Sequence, residues 1–117
     1  MPSTTSFKVG DIVSVQFPYS DLQGSKRRPG LVLHVDEKDV LLARITTRPP
    51  TVATDVSLAH WTESSLPRAS TVRLTKLASI DQGLIHRPVG RLHPADAKAV
   101  LQALQTWLQN LATNISS

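Results

Sequence analysis

The chain has 117 residues, 40% of them hydrophobic, with no cysteine and a net charge of +4 at pH 7. This length predicts one domain; the missing cysteines exclude disulfides and thiolate metal sites, no apolar run is long enough to cross a bilayer, and the polar opening MPSTTSFK is unlike a secretory signal, so a cytoplasmic protein without membrane contact is expected. The 13 Lys and Arg outnumber the 9 Asp and Glu, and only Lys98 among them follows Pro94, which favours an anionic partner for the earlier part of the chain.

Residues 1–6 are expected to be disordered and residues 7–113 to form the single domain. Val13, Val15 and Phe17 alternate with Ser14 and Gln16, the pattern of a half-buried strand, which Pro18 ends. Asp21, Gln23, Gly24 and Ser25 are loop residues. Lys26, Arg27 and Arg28 then place three positive charges side by side. Pro29 holds Arg28 out of the α region, and Leu31 to Val35 reads as the second strand. Arg28 thus stands where a basic loop becomes a fixed strand, the anchoring that a phosphate-binding arginine needs.

Asp36, Glu37, Lys38 and Asp39 read as a charged hairpin turn. Val40 to Thr47 is the third predicted strand, with Leu41, Ala43 and Ile45 on one face and Leu42, Arg44 and Thr46 on the other. Arg48, Pro49 and Pro50 stop it. A short strand is expected within Val52 to Leu58, and a loop carrying Trp61 from His60 to Ala69. Thr71 to Leu77 alternates again, with Val72 and Leu74 inward and Arg73 and Thr75 outward. Leu84 to Arg91 is a short strand whose Pro88 assigns it to an edge.

The clearest element is the terminal helix. Pro94 suits a first helical turn, and Asp96 complements the positive helix end. Ala97, Val100, Leu101, Leu104, Leu108 and Leu111 recur at helical spacing. No charged side chain follows Lys98, which leaves faces for both the sheet and a second subunit. Several short strands followed by one helix predict a mainly β fold, a small curved sheet or barrel.

Four stretches together resemble one family. GDIV, FPYSD and KRRPGLVL, then Ile45-Thr46-Thr47, then STVRLTKLASID from Ser70 to Asp81, then Gly90 to Leu92 before the helix, are similar in order and spacing to the PemK/MazF toxins, the ribonuclease halves of toxin–antitoxin pairs. The resemblance covers Phe7 to Leu111. It implies a small SH3-like barrel of the MazF/CcdB type working as a homodimer. It further implies a metal-independent endoribonuclease that cuts single-stranded RNA, mRNA in particular, by attack of the 2′-hydroxyl. The expected partner is an antitoxin with an acidic, disordered tail. The alternatives are a CcdB-like binder of gyrase and a non-catalytic, basic RNA-binding barrel.

Arg28 and Thr46 match the family's catalytic pair. A guanidinium presents a planar fork to phosphate oxygens, and a threonine hydroxyl can donate to a non-bridging oxygen or orient the attacking group. Where relatives often carry an acidic residue five positions before the arginine, this chain has Gln23, which makes Asp21 the candidate general base. Lys26, Arg27, Thr47, Arg48, Arg73 and Lys76 are the candidate RNA-binding residues, and Arg44 and Arg87 are further groove candidates. Trp61 is expected to pack on the core rather than stack on a base. His34, His60, His86 and His93 match no family motif and are expected to be structural. No spacing suggests a metal site, and no cofactor is expected.

Overall fold

A computed structural model describes residues 7–16 and 27–117. It contains strands β1 (Asp11–Val15), β2 (Arg28–Val35), β3 (Asp39–Thr46), β4 (Asp55–Ser57), β5 (Thr71–Asp81) and β6 (Ile85–Arg91), followed by helix α1 (Pro94–Ser116). All six strands join one antiparallel sheet in the order β4-β5-β3-β2-β1-β6. The expected mainly β architecture with a terminal helix is therefore present, and the Pro88 strand lies at an edge, where a residue without an N–H is tolerated.

The sheet is open, a correction to the expectation of a barrel. Among the described residues β4 and β6, its two outer strands, do not pair. The reason is local. β4 is three residues long, and the chain beyond it reaches β6 as a turn packed on Gly90, not as a paired strand.

The central strands are buried on both faces, which strict alternation did not anticipate for β1. Ile12 and Val13 are both fully buried, as are Leu31 and Val32. They feed two cores. Ile12, Leu31, Ala43, Ile45, Val72, Leu74 and Val100 form one, and Val13, Val15, Val32, Val40, Leu42 and Ile80 form the other. Trp61 packs against the first, as expected. The hairpin between β2 and β3 closes through Asp36 N–H donating to the Asp39 carbonyl at 2.8 Å.

β5 runs four residues longer than the sequence pattern predicts and is irregular. Arg44 pairs with Arg73, but Ala43 pairs with Leu77, so residues 74–76 bulge out of the ladder. Such a bulge bends the strand and redirects its side chains.

At the other end of the sheet, Gly90 is required by a close approach. A Cβ there would lie 2.2 Å from the Ser64 carbonyl oxygen. The turn at 60–66 therefore rests directly on the β6 backbone. That turn ends as helices commonly do: Leu66 N–H donates to Trp61 O and Ser65 N–H to Thr62 O, with Ser65 in the left-handed region at φ 66°.

α1 starts where the sequence places it. The His93 ring accepts from Ala95 N–H as the N-cap, Pro94 occupies the first turn, and Asp96 is buried there. Asp96 reaches across to the end of β4, where its two oxygens accept Ala59 N–H at 3.0 Å and His60 N–H at 2.9 Å. Asp96→Ala removes both acceptors from partly buried donors, so a loss of about 2–4 kcal/mol is expected. Thermal unfolding beside the wild type checks it, and an unchanged midpoint would contradict it.

The helical stripe is only half used. Val100 is buried and Ala97 and Leu104 pack on the first core, whereas Leu101, Leu108, Leu111 and Ile115 are exposed. Twenty-three residues make a helix of about 35 Å.

Candidate active site

Pro29 lies opposite Ser14 on β1, and the β2–β3 ladder starts one residue later, at Gly30 opposite Arg44. A proline fits there because the ladder to β3 does not yet require its missing N–H. Arg28, opposite Val15, is the first residue of β2. Thr46 is the last of β3. The two residues therefore sit at the same end of neighbouring antiparallel strands.

Two clefts meet at this end. The larger, of about 550 Å³, is lined by Ser14, Arg28, Pro29, Ile45, Thr46 and Thr47, together with Ser65, Leu66, Pro67, Ser70, Arg87 and Val89. The smaller, of about 300 Å³, is lined by Arg28, Arg44, Thr46, Thr47, Arg48 and Arg73. Arg28, Thr46 and Thr47 line both. One cleft is largely apolar beyond these residues, as a base or ribose requires; the other is walled by four guanidinium groups, as an anion requires.

The Thr46 hydroxyl is oriented locally. Its Oγ1 accepts Arg48 N–H at 3.2 Å. The bond uses an acceptor position of the oxygen and leaves the hydroxyl proton for another acceptor.

Arg73 is held from behind. Its Nε donates to Asp55 Oδ1 at 3.4 Å, and the Asp55 side chain is 2% exposed. Asp55 Oδ2 also accepts Thr51 N–H at 3.0 Å and the Thr51 hydroxyl at 3.2 Å. Burial pushes the Asp55 carboxyl up, but the Thr51 bonds and the bond and charge of Arg73 together outweigh it, so its pKa lies below the ordinary 3.8. A depressed folded-state pKa means that this stabilisation is complete above the ordinary value and is lost as pH falls through the folded one. Acid unfolding of the wild type should therefore show a component below pH 3.8 that Asp55→Asn lacks. Identical acid-side profiles would contradict it.

The structure thus brings Arg28, Thr46, Thr47, Arg48 and Arg73 together. Arg27 is exposed, and Lys76 stands in the β5 bulge; neither lines a cleft. Asp21 and Lys26 lie outside the described residues. Arg44 and Arg87, groove candidates by charge alone, are lining residues. Ser14, Ser70 and Asp55 were missed. Strand alternation gave no reason to single out the serines, and Asp55 becomes visible only once β4 is paired with β5.

No histidine lines either cleft among the described residues. His60, Glu63 and His93 nevertheless gather elsewhere, with potential metal-ligand atoms within 4.8 Å of one another, a cluster that sequence spacing did not reveal. His60 Nδ1 lies 3.1 Å from Glu63 Oε1, and His93 Nε2 lies 3.4 Å from Glu63 Oε2. The two rings stack with centroids 3.8 Å apart and planes 13° from parallel. Stacked rings point their lone pairs side by side rather than toward one ion. The trio joins the 60–66 turn to the start of α1 through the His60–Glu63 hydrogen bond, the close approach of His93 to Glu63 and the stacked rings.

A family model described as PemK-like, MazF-like toxin of type II toxin–antitoxin systems matches residues 8–108. Solved structures share the fold. An endoribonuclease in complex with its cognate antitoxin, from mycobacterial species, is 20% identical with a TM-score of 0.71, over 89% of this chain and 96% of that one. The Mycobacterium tuberculosis toxin MazF-mt6 is 23% identical with a TM-score of 0.69, over 85% and 96%. MazF from Deinococcus radiodurans is 20% identical with a TM-score of 0.69, over 91% and 99%. No curated protein matches the sequence significantly.

Proposed function

Because the chain belongs to the PemK/MazF family of type II toxin–antitoxin toxins, we propose that it is an endoribonuclease that cleaves single-stranded RNA, with Arg28 and Thr46 as its catalytic residues. The observation that carries this reading is that these two side chains line both clefts, at the junction of an apolar chamber and an arginine-walled one. A nucleotide enters the larger cleft, and its 3′-phosphate rests at the junction.

RNA supplies its own nucleophile. The 2′-oxygen bonds to phosphorus, the bond from phosphorus to the 5′-oxygen breaks, and the products are a 2′,3′-cyclic phosphate and a 5′-hydroxyl. One proton leaves the 2′-hydroxyl and one reaches the departing oxygen. Arg28 holds the phosphate and stabilises the charge that grows on its oxygens. Thr46, with its oxygen anchored by Arg48 N–H, turns its proton to a non-bridging oxygen. Asp21 is the proposed base. Lys26, Thr47, Arg48 and Arg73 add phosphate contacts, while Arg27 and Lys76, which line neither cleft, act on the outer course of the RNA.

The same surface accepts an antitoxin with an acidic tail, as the net charge of +4 favours. A second copy of the chain covers the exposed leucines of α1, giving a homodimer. No helix among the described residues is long and apolar enough to cross a membrane, and the proposed site of action is the cytoplasm, where mRNA is found.

The test is incubation of purified protein with a long RNA in EDTA. Fragments ending in 2′,3′-cyclic phosphate and 5′-hydroxyl are expected. Intact RNA that is nevertheless shifted in a gel would replace this reading with a non-catalytic binder.

A further inference from the structure

We propose that Arg73, held in place by the buried carboxylate of Asp55, anchors a second phosphate of the RNA chain in the smaller cleft, beside the phosphate held at Arg28. The inference rests on the ribonuclease reading and assigns the smaller cleft a role of its own.

Three observations carry it. The first is position. Asp55 pairs with Arg73 across β4–β5, Arg73 with Arg44 across β5–β3, and Arg44 with Gly30 across β3–β2. These residues form one row across four strands, on the face that also presents Arg28 and Thr46, two residues further along β2 and β3.

The second is charge. Arg28, Arg44, Arg48 and Arg73 wall a space of about 300 Å³, and no acidic residue lines it among those described. Like charges crowded around one cavity repel, and a bound anion relieves that repulsion. Asp55 offsets the charge of Arg73 from behind the wall without occupying the cleft.

The third is preorganisation. The Arg73 side chain is 30% exposed, and Nε is the atom turned to Asp55. An arginine held at Nε loses little further freedom when its terminal nitrogens meet a phosphate. Asp55 is itself fixed by two bonds from Thr51. It is a positioning residue, and Arg73 is the group that touches the substrate.

The experiment uses a single-stranded RNA that the wild type cuts, and the same oligonucleotide carrying one 2′-deoxy residue at the mapped cleavage position. The key variant is Asp55→Asn/Arg73→Met, which keeps the net charge and replaces the pair with neutral groups of similar volume, a change that buried pairs commonly tolerate. Its affinity for the uncleaved oligonucleotide should fall by about tenfold or more. The slope of log affinity against log salt should flatten by about 0.7, the loss of one contact to single-stranded RNA. KM should rise by more than kcat falls. Asp55→Asn alone should raise KM, yet add nothing in an Arg73→Met background; a merely structural Asp55 would weaken both. Arg73→Lys, which retains a cation facing Asp55, should bind between the wild type and the double variant and guards against a folding defect.

Unchanged affinity and salt slope in the double variant, with the wild type binding and cutting normally, would overturn the anchor and leave the ribonuclease reading standing. A wild type that neither binds nor cuts RNA would overturn both.

Discussion

Arg28→Ala is expected to lower turnover on RNA by about 10²–10³, with a much smaller loss of binding. The asymmetry follows from where the residue sits. Several arginines wall the clefts, so ground-state attraction for a polyanion is shared among them. The charge that develops on the scissile phosphate is local, and the group nearest to it acts mainly in the transition state. Arg28→Lys should recover only part of the rate, since an ammonium lacks the planar fork. Thr46→Val keeps the branched shape at the end of β3 and removes only the hydroxyl; it should slow cleavage with the melting temperature nearly unchanged. Single-turnover rates beside affinity for an uncleavable RNA separate these effects. An Arg28→Ala enzyme that weakened binding as much as rate would show Arg28 to be a general phosphate contact.

A single 2′-deoxy nucleotide on the 5′ side of the scissile bond is expected to abolish cleavage while leaving affinity nearly intact. The substitution deletes the nucleophile and preserves every phosphate that the arginines hold. Cleavage at the normal rate would require water or a side chain as the attacking group, and the roles of Arg28 and Thr46 would have to be assigned afresh. The two experiments probe opposite sides of one bond-making step, the enzyme's charge stabilisation and the substrate's oxygen.

Local chemistry was legible in the sequence wherever a residue type constrains its own backbone. Pro29 marked the passage from loop to strand, although β2 begins at Arg28, three residues before the expected Leu31; the charged run at Asp36–Asp39 marked a hairpin, and Pro94 with Asp96 marked the first turn of α1. Arg28 and Thr46 were legible by resemblance, and the fold brings them to the lining of the same clefts.

What stayed hidden depends on contacts between distant segments. The bond from Ala59 N–H to Asp96, 37 residues further on, ties the chain after β4 to the start of α1, a contact that no local pattern announces. Lys76 has the parity of the inward Val72 and Leu74 in the sequence, and its exposure is explained only once residues 74–76 leave the ladder. Arg73 is a groove candidate from the sequence, but its buried partner Asp55 becomes visible only once β4, three residues long, pairs with β5. The exposed half of α1 has the same apolar spacing as the buried half, because spacing records which residues share a face and not whether anything lies against it.

The contact of Gly90 with the Ser64 carbonyl bears on how tolerance to substitution should be interpreted. Any side chain at position 90 would push on backbone, which cannot swing aside as the end of a flexible side chain can. The segment displaced would be the turn that continues into Ser65, Leu66 and Pro67, one wall of the larger cleft. In a screen of random variants for loss of the proposed activity, alanine at 90 would therefore score beside the changes expected to matter at Arg28, although Gly90 lines neither cleft. Such a screen maps the dependence of the wall on the strand beneath it as faithfully as it maps the chemistry.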